Sequence, residues 1–329
     1  MKYNLPSGPT VMSQDIIIQN ALNAWTLNPN LYRLDDTALY DENGNLKSGS
    51  SWTEKHINAL HIIPVYDVDI EEILVPENNV DQFALFWVMS RDDIYDDQWD
   101  SFYSHARNYN SSIISEITFM IKSLSQLVER RKSQDSDLSS TSDEGDKLEQ
   151  LTQSLANTIC TAFLRMTKLY DKRYPSWDYM NNSYVITLLR TMSGNVHPDG
   201  TISYRLSKSK MTTYVWVEAK PLQYSPARNY RKTIPQKAAE SIALAQSLWN
   251  ETEIKDTEIF GIEFSHRFVS FWHARFPYQY LVSIQTNPVL PPEQYVIMKR
   301  SRVLDLIERP GRREFARWFV GLLGHLSCV

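Results

Sequence analysis

Tyr214-Val215-Trp216-Val217-Glu218-Ala219-Lys220 is a strand-forming run that closes on an acid and a lysine. Its β-branched and aromatic residues suit a pleated strand, and alternation sets Val215, Val217 and Ala219 on one face. Glu218 and Lys220 share the other, where charges are costly unless paired or coordinated to a cation. Thr201 to Leu206 has the character of a second strand, joined to the first as a hairpin by the polar turn Ser207-Lys208-Ser209-Lys210. Asp199, in His197-Pro198-Asp199-Gly200, opens that second strand, 19 residues before Glu218. A hairpin can return the chain so that the two carboxylates meet. Converging carboxylates repel, and a hard divalent cation such as Mg2+ or Mn2+ relieves them. Lys220 beside them suits orienting a water or offsetting charge on a phosphate. Plainer readings exist for each piece. Pro-Asp-Gly is a turn sequence, Glu218 and Lys220 can form a cross-strand ion pair, and His197 suits an ordinary turn.

Downstream, a small-residue helix is expected over Gln236 to Trp249, opening after Pro235. Strands follow at Ile259 to Phe264 and Phe268 to Arg275. An amphipathic helix over 311–326 closes the chain, with Phe315, Trp318, Phe319, Leu322, Leu323 and Leu326 on one face. The aromatic run Phe268, Phe271, Trp272, Phe276, Tyr278 and Tyr280 reads mostly as core of the last strands, with base stacking as the alternative. Upstream, Val185 to Leu189 is a strand. Ile113, Ile117, Met120, Leu124 and Leu127 keep helical spacing to about Arg131, and helicity returns from about Lys147 to Tyr170. Between them, residues 132–146 are rich in Ser and Asp and read as a disordered loop. Helices alternating with strands describe an α/β core.

Residues 1–110 are of another kind. A hairpin is expected at Asp41-Glu42-Asn43-Gly44-Asn45. The short apolar runs Leu60 to Val65, Ile70 to Val75 and Phe83 to Met89 fit strands and buried helices alike. This stretch holds 6 basic and 17 acidic side chains, a balance of -11, whereas residues 200–240 hold 8 basic and 2 acidic, a balance of +6. Residues 295–318 add 7 basic against 3 acidic. Charge marks out an acidic region at 1–110, suited to a protein partner; the remaining 111–329 holds the α/β pattern read above. A basic patch is the footprint a phosphate backbone seeks, and Arg228, Arg231, Lys232 and Lys237 are the candidates to grip DNA or RNA. A solvated face, or pairing with the acidic half, is the plainer account.

The two cysteines, Cys160 and Cys328, make no disulfide framework, and no Cys/His spacing suits zinc. With no secretory leader and no run of about 18 apolar residues, the chain reads as intracellular, without a membrane span. It has no GxxxxGK[ST] loop, no GxGxxG after a strand, no HExxH and no GxSxG elbow, which argues against the corresponding nucleotide-binding, metalloprotease and hydrolase classes.

Pro198-Asp199, then Glu218-Ala219-Lys220, then a helix beginning near Gln236, resembles the PD-(D/E)XK nuclease superfamily. Within it the chain is most similar to nuclease-like domain proteins of fungi, through Val217-Glu218-Ala219-Lys220-Pro221 and the closing Arg313-Glu314-Phe315-Ala316-Arg317-Trp318. The resemblance covers roughly residues 111–326. It implies a mixed central β-sheet flanked by helices, restriction-endonuclease-like, and Mg2+- or Mn2+-dependent cleavage of DNA or RNA. It also implies that Asp199 and Glu218 ligate the metal, Lys220 is the catalytic lysine and Gln236 is the helix glutamine beside the site. Glu240 falls one turn later, where a solvated salt bridge is its plainer role. Two departures stand out. Gly200 occupies a place where many members carry an apolar residue, and no acid stands out on the preceding helix. Glu116 and Glu149 are the candidates there, and both also read as surface residues. The departures keep open an inactive nuclease-like fold that binds nucleic acid or protein.

Overall fold

The computed structural model describes residues 13–76, 142–170, 177–205, 211–220, 226–249 and 254–327, with backbone alone at 142–148, 166–170 and 226–232. The expected hairpin is its centre: β5 (Gly200–Arg205) and β6 (Met211–Lys220) pair antiparallel, with Gly200 opposite Val217. Here β-labels follow chain order, after β1 (Ile62–Val68), β2 (Trp177–Met180), β3 (Tyr184–Leu188) and β4 (Met192–Val196). The register slips between Ile202 and Ser203, where β6 carries one extra residue, Tyr214, as a bulge. The joining turn at 206–210 lies outside the described residues.

Beyond β6 come β7 (Thr257–Ser265), β8 (Phe268–Phe276), β9 (Val296–Ser301) and the short β10 (Leu304–Asp305). They build an eight-stranded mixed sheet in the order β1-β9-β8-β7-β6-β5-β2, with β10 on β8. β6 and β7 run parallel, as do β1 and β9. Parallel neighbours need a crossover, and α4 (Pro226–Leu248) supplies it between β6 and β7. The other helices are α1 (Gln14–Leu27), α2 (Glu54–Ala59), α3 (Ser142–Tyr170), α5 (Tyr278–Thr286) and α6 (Arg309–Leu326).

Alternation along β6 sorts the helices into two layers. Val215, Val217 and Ala219 join one core with Leu155 and Ile159 of α3 and Phe315, Phe319 and Leu322 of α6. Trp216 faces the other core, against Ala238, Ala239 and Ile242 of α4 and Tyr280 and Ile284 of α5. Small alanines let α4 lie close to the sheet. Glycine serves the same end within it: a Cβ on Gly261 would sit 2.0 Å from the Trp216 ring.

Several expectations change. Charge had separated residues 1–110, yet β1 is an edge strand of the main sheet, and Ile62 and Ile63 enter opposite cores. Composition reports charge, whereas sheet membership depends on pairing with β9, more than 200 residues away. Of the apolar run at 70–75, left open between strand and buried helix, Ile70–Glu72 is a 3-10 turn. Helix α3 starts at Ser142, inside the expected loop, and α4 starts ten residues before Gln236 with Pro235 in its interior. A proline N-terminal signal misled because the helix passes through it, forgoing one backbone hydrogen bond. Tyr278 and Tyr280 belong to a helix, not a strand. The turn at 41–45 is present: Asp41 accepts from the N–H groups of Asn43 and Asn45, and Gly44 takes φ 78°. The expected helix over 113–131, the run 83–89 and Glu116 lie outside the described residues. Among the described residues no helix is long and apolar enough to cross a membrane.

Candidate active site

Register brings the carboxylates together. Since Gly200 pairs with Val217, Asp199 one step earlier stands across from Glu218. Asp199 Oδ2 accepts the Ala219 N–H at 2.8 Å, and Oδ1 accepts Gln153 Nε2 of α3 at 2.5 Å. Burial raises the Asp199 pKa, against the Ala219 N–H and the Lys220 charge, which lower it. The turn reading of Asp199 therefore gives way to a residue tied to two elements. Gly200 is likewise no turn glycine: it lies in β5, and a Cβ there would meet Tyr179 Oη at 1.9 Å.

Glu218 is buried at 1 % exposure and ion-pairs with Lys220. Its Oε1 also accepts Gln236 Nε2 of α4 at 2.7 Å, while Oε2 is buried without a hydrogen-bond partner. Burial, then Asp199, raises its pKa. Burial alone would discharge Lys220, but the Glu218, Asp199 and Glu149 carboxylates outweigh it and raise its pKa. Glu149 reaches Lys220 at 3.4 Å from α3, with its side chain 41 % exposed. Thus Asp199, Glu218, Lys220 and Gln236 form one cluster at the carboxyl end of β6, between α3 and α4.

Sequence reasoning undervalued two of its neighbours and missed two others. Glu240 is no solvated residue: it is fully buried, and Gln236 Nε2 donates to its Oε1 at 3.0 Å. Burial, then the Glu218 carboxylate, raises its pKa well above the carboxylate range, favouring the neutral form. Glu149, read also as a surface residue, contacts the lysine. Gln153 and Tyr179 carried no motif. Tyr179 Oη is buried without a hydrogen-bond partner, and burial, with Cys160, Asp199 and Glu218 nearby, raises its pKa.

Lys237 is not available to a nucleic acid. It is fully buried, ion-paired with Glu263 of β7, bonded to Thr233 Oγ1 at 2.9 Å and 4.7 Å from the Trp272 ring centroid. Glu263 pairs in register with Glu218 on the adjacent strand. Burial would raise its pKa, but Lys237 and Arg300 outweigh this and hold it ionised. The acid within the otherwise apolar 259–264 run was the available sign of a buried partner. Arg228, Arg231 and Lys232 lie on the first turns of α4, where the side chains are outside the described residues. His197 Nδ1 lies 2.7 Å from Ser183 Oγ, an ordinary loop contact.

Among the described residues no group of three or more His, Cys, Asp or Glu stands in metal-holding geometry. No protein-family model matches the chain, and no curated protein matches it.

Proposed function

We propose that the chain is a Mg2+- or Mn2+-dependent nuclease of restriction-endonuclease-like fold, hydrolysing phosphodiester bonds of DNA or RNA. The observation that carries this reading is the hairpin register, which sets Asp199 across from Glu218 while Lys220 ion-pairs with that glutamate. The order α3, β5–β6 hairpin, α4 and parallel β7 supports the fold assignment. The donor set fits a hard cation: both candidate ligands, Asp199 and Glu218, are carboxylates. Each Asp199 oxygen accepts one hydrogen bond and keeps a further lone pair. When bound, such an ion lowers the pKa of a water and neutralises charge on a phosphate.

The chain's own residues supply position and charge. Gln236 holds the Glu218 carboxylate, and Gln153 with the Ala219 N–H holds Asp199. Lys220, ion-paired with Glu218, is placed to orient the attacking water or offset phosphate charge. This reading assigns Arg228, Arg231 and Lys232, at the start of α4, to the phosphate backbone.

Cleavage of a labelled oligonucleotide in Mg2+ tests it. Glu218→Ala and Lys220→Ala should each lower the rate about 100-fold or more while circular dichroism stays unchanged. Cleavage persisting in Lys220→Ala sinks the assignment. A second reading, a nuclease-like fold serving as a nucleic-acid- or protein-binding module, is favoured by the lack of a three-ligand cluster among the described residues. Titration calorimetry with Mn2+ separates the two. Binding lost in Glu218→Ala supports the nuclease; no binding, with stability unchanged in chelator, supports the module.

A further inference from the structure

Leu189 and Arg190 both take left-handed backbone, at φ 49° and 63°, at the tip between β3 and β4. Asn-Gly or Gly-Gly would fill such a tip without strain, and strain of this kind persists where the surroundings over-determine it. They do so here. Leu189 N–H donates to Ile284 O of α5 at 3.0 Å, and Thr187 O accepts Gln246 Nε2 and Gln285 Nε2 at 2.7 Å each. The pinned tip places Arg190 on the wall of a cavity of about 480 Å3, shared with Trp249, Tyr278, Val282, Gln285 and Thr286. That volume falls in the roughly 300–1,000 Å3 range of small-molecule sites.

The lining is unbalanced in a way that specifies a ligand. Arg190 is exposed, with no hydrogen bond or ion pair among the described residues. Gln285 Nε2 and Thr286 Oγ1 are already committed, to Thr187 O and Val282 O. Among the described residues no acid lines the cavity. Asp256, which accepts the Tyr278 N–H, is ion-paired with Arg275. The rings of Trp249 and Tyr278 lie 6.2 Å apart, tilted by 57°. One uncommitted cationic donor therefore stands beside two aromatic rings.

We propose that this cavity binds a nucleotide, its base against the Trp249 and Tyr278 rings and its phosphate on Arg190. Aromatic stacking and a charge-assisted guanidinium–phosphate bond are the two components. The proposal does not rest on the cleavage reading, since Trp249 lies nine residues beyond Glu240, roughly 14 Å along α4 at 1.5 Å per residue.

Calorimetry on the full chain in EDTA tests it, with AMP, adenosine, inorganic phosphate and a short oligoadenylate as probes. AMP should bind about tenfold or more tightly than adenosine or phosphate alone, one such component being worth roughly a decade. Arg190→Ala should lose that decade for AMP and abolish its advantage over adenosine. Trp249→Ala removes a ring, and should weaken AMP and adenosine alike, several-fold. If the oligoadenylate binds more tightly than AMP and depends on Arg190, the nucleotide belongs to a strand; if AMP is tighter, it is free. Either outcome supports the proposal. It is overturned if neither AMP nor oligoadenylate binds at millimolar concentration, or if Arg190→Ala binds both as wild type does. Glu218→Ala should bind AMP unchanged, so loss of cleavage and loss of this site are separately visible.

Discussion

Lys237→Met removes one partner of the buried Lys237–Glu263 pair while keeping a flexible apolar stem of similar length. The two side chains are 0 % and 4 % exposed, so water cannot replace the lost ammonium. Breaking such a pair costs about 3–5 kcal/mol, because an uncompensated charge stays behind. Glu263 keeps Trp272 Nε1 at 3.0 Å and Ser270 Oγ at 3.3 Å, which places the cost near the lower end. About 3 kcal/mol corresponds to roughly 150-fold in the folding equilibrium. Urea denaturation followed by tryptophan fluorescence reads this directly. Lys237→Met/Glu263→Gln removes both charges yet leaves an acceptor for the Trp272 N–H, and should recover about 1–2 kcal/mol. A single variant within about 0.5 kcal/mol of wild type, or a double variant no more stable than the single, would falsify the assignment of a buried ion pair. Nucleic-acid binding gives an independent check. A lysine on a phosphate contributes about one to the salt slope, so Lys237→Met should leave that slope unchanged.

Gly200→Ala should destabilise by about 1–3 kcal/mol or more, since its Cβ falls 1.9 Å from Tyr179 Oη, and should weaken any Mn2+ binding at Asp199; the urea midpoint and a Mn2+ titration check both. Gln236→Ala removes the donor shared by Glu218 and Glu240, and should cost about 1–3 kcal/mol in the same urea assay. Glu258 faces His273 Nε2 at 3.6 Å and His325 Nε2 at 3.3 Å, which lower its pKa from 4.5 to about 2. A depressed carboxylate contributes stability that is present above pH 4.5 and lost as pH falls towards 2, so the gap between wild type and Glu258→Gln should narrow across that window. Urea midpoints at pH 6 and pH 3 give the comparison.

Legibility followed the range of the interactions involved. The β5–β6 hairpin was readable because both strands and the intended turn lie within about twenty residues, and alternation assigns each face locally. The Glu218-Ala219-Lys220 ending was readable for the same reason: two charges on one face of an apolar strand need partners. Gln236 meets Glu218 although the helix bearing it begins ten residues earlier than expected, because side-chain direction depends on the helix and not on its first residue.

What the sequence by itself determined is the pairing of strand and charge: which residues of β6 face each layer, and that Glu218 requires a counter-charge. Only the tertiary structure decided which counter-charges meet which acids. Lys220 and Lys237 read as two members of one basic segment, yet one closes the Asp199–Glu218 cluster and the other disappears beneath α4 against Glu263. Only the tertiary structure, too, drew β1 into the sheet beside β9 and brought Gln153 and Tyr179 to Asp199. Those contacts join elements tens to hundreds of residues apart, and no local period encodes them. They exist because burial of both sheet faces forces distant helices and strands together, and each buried polar group then takes whatever partner that packing supplies.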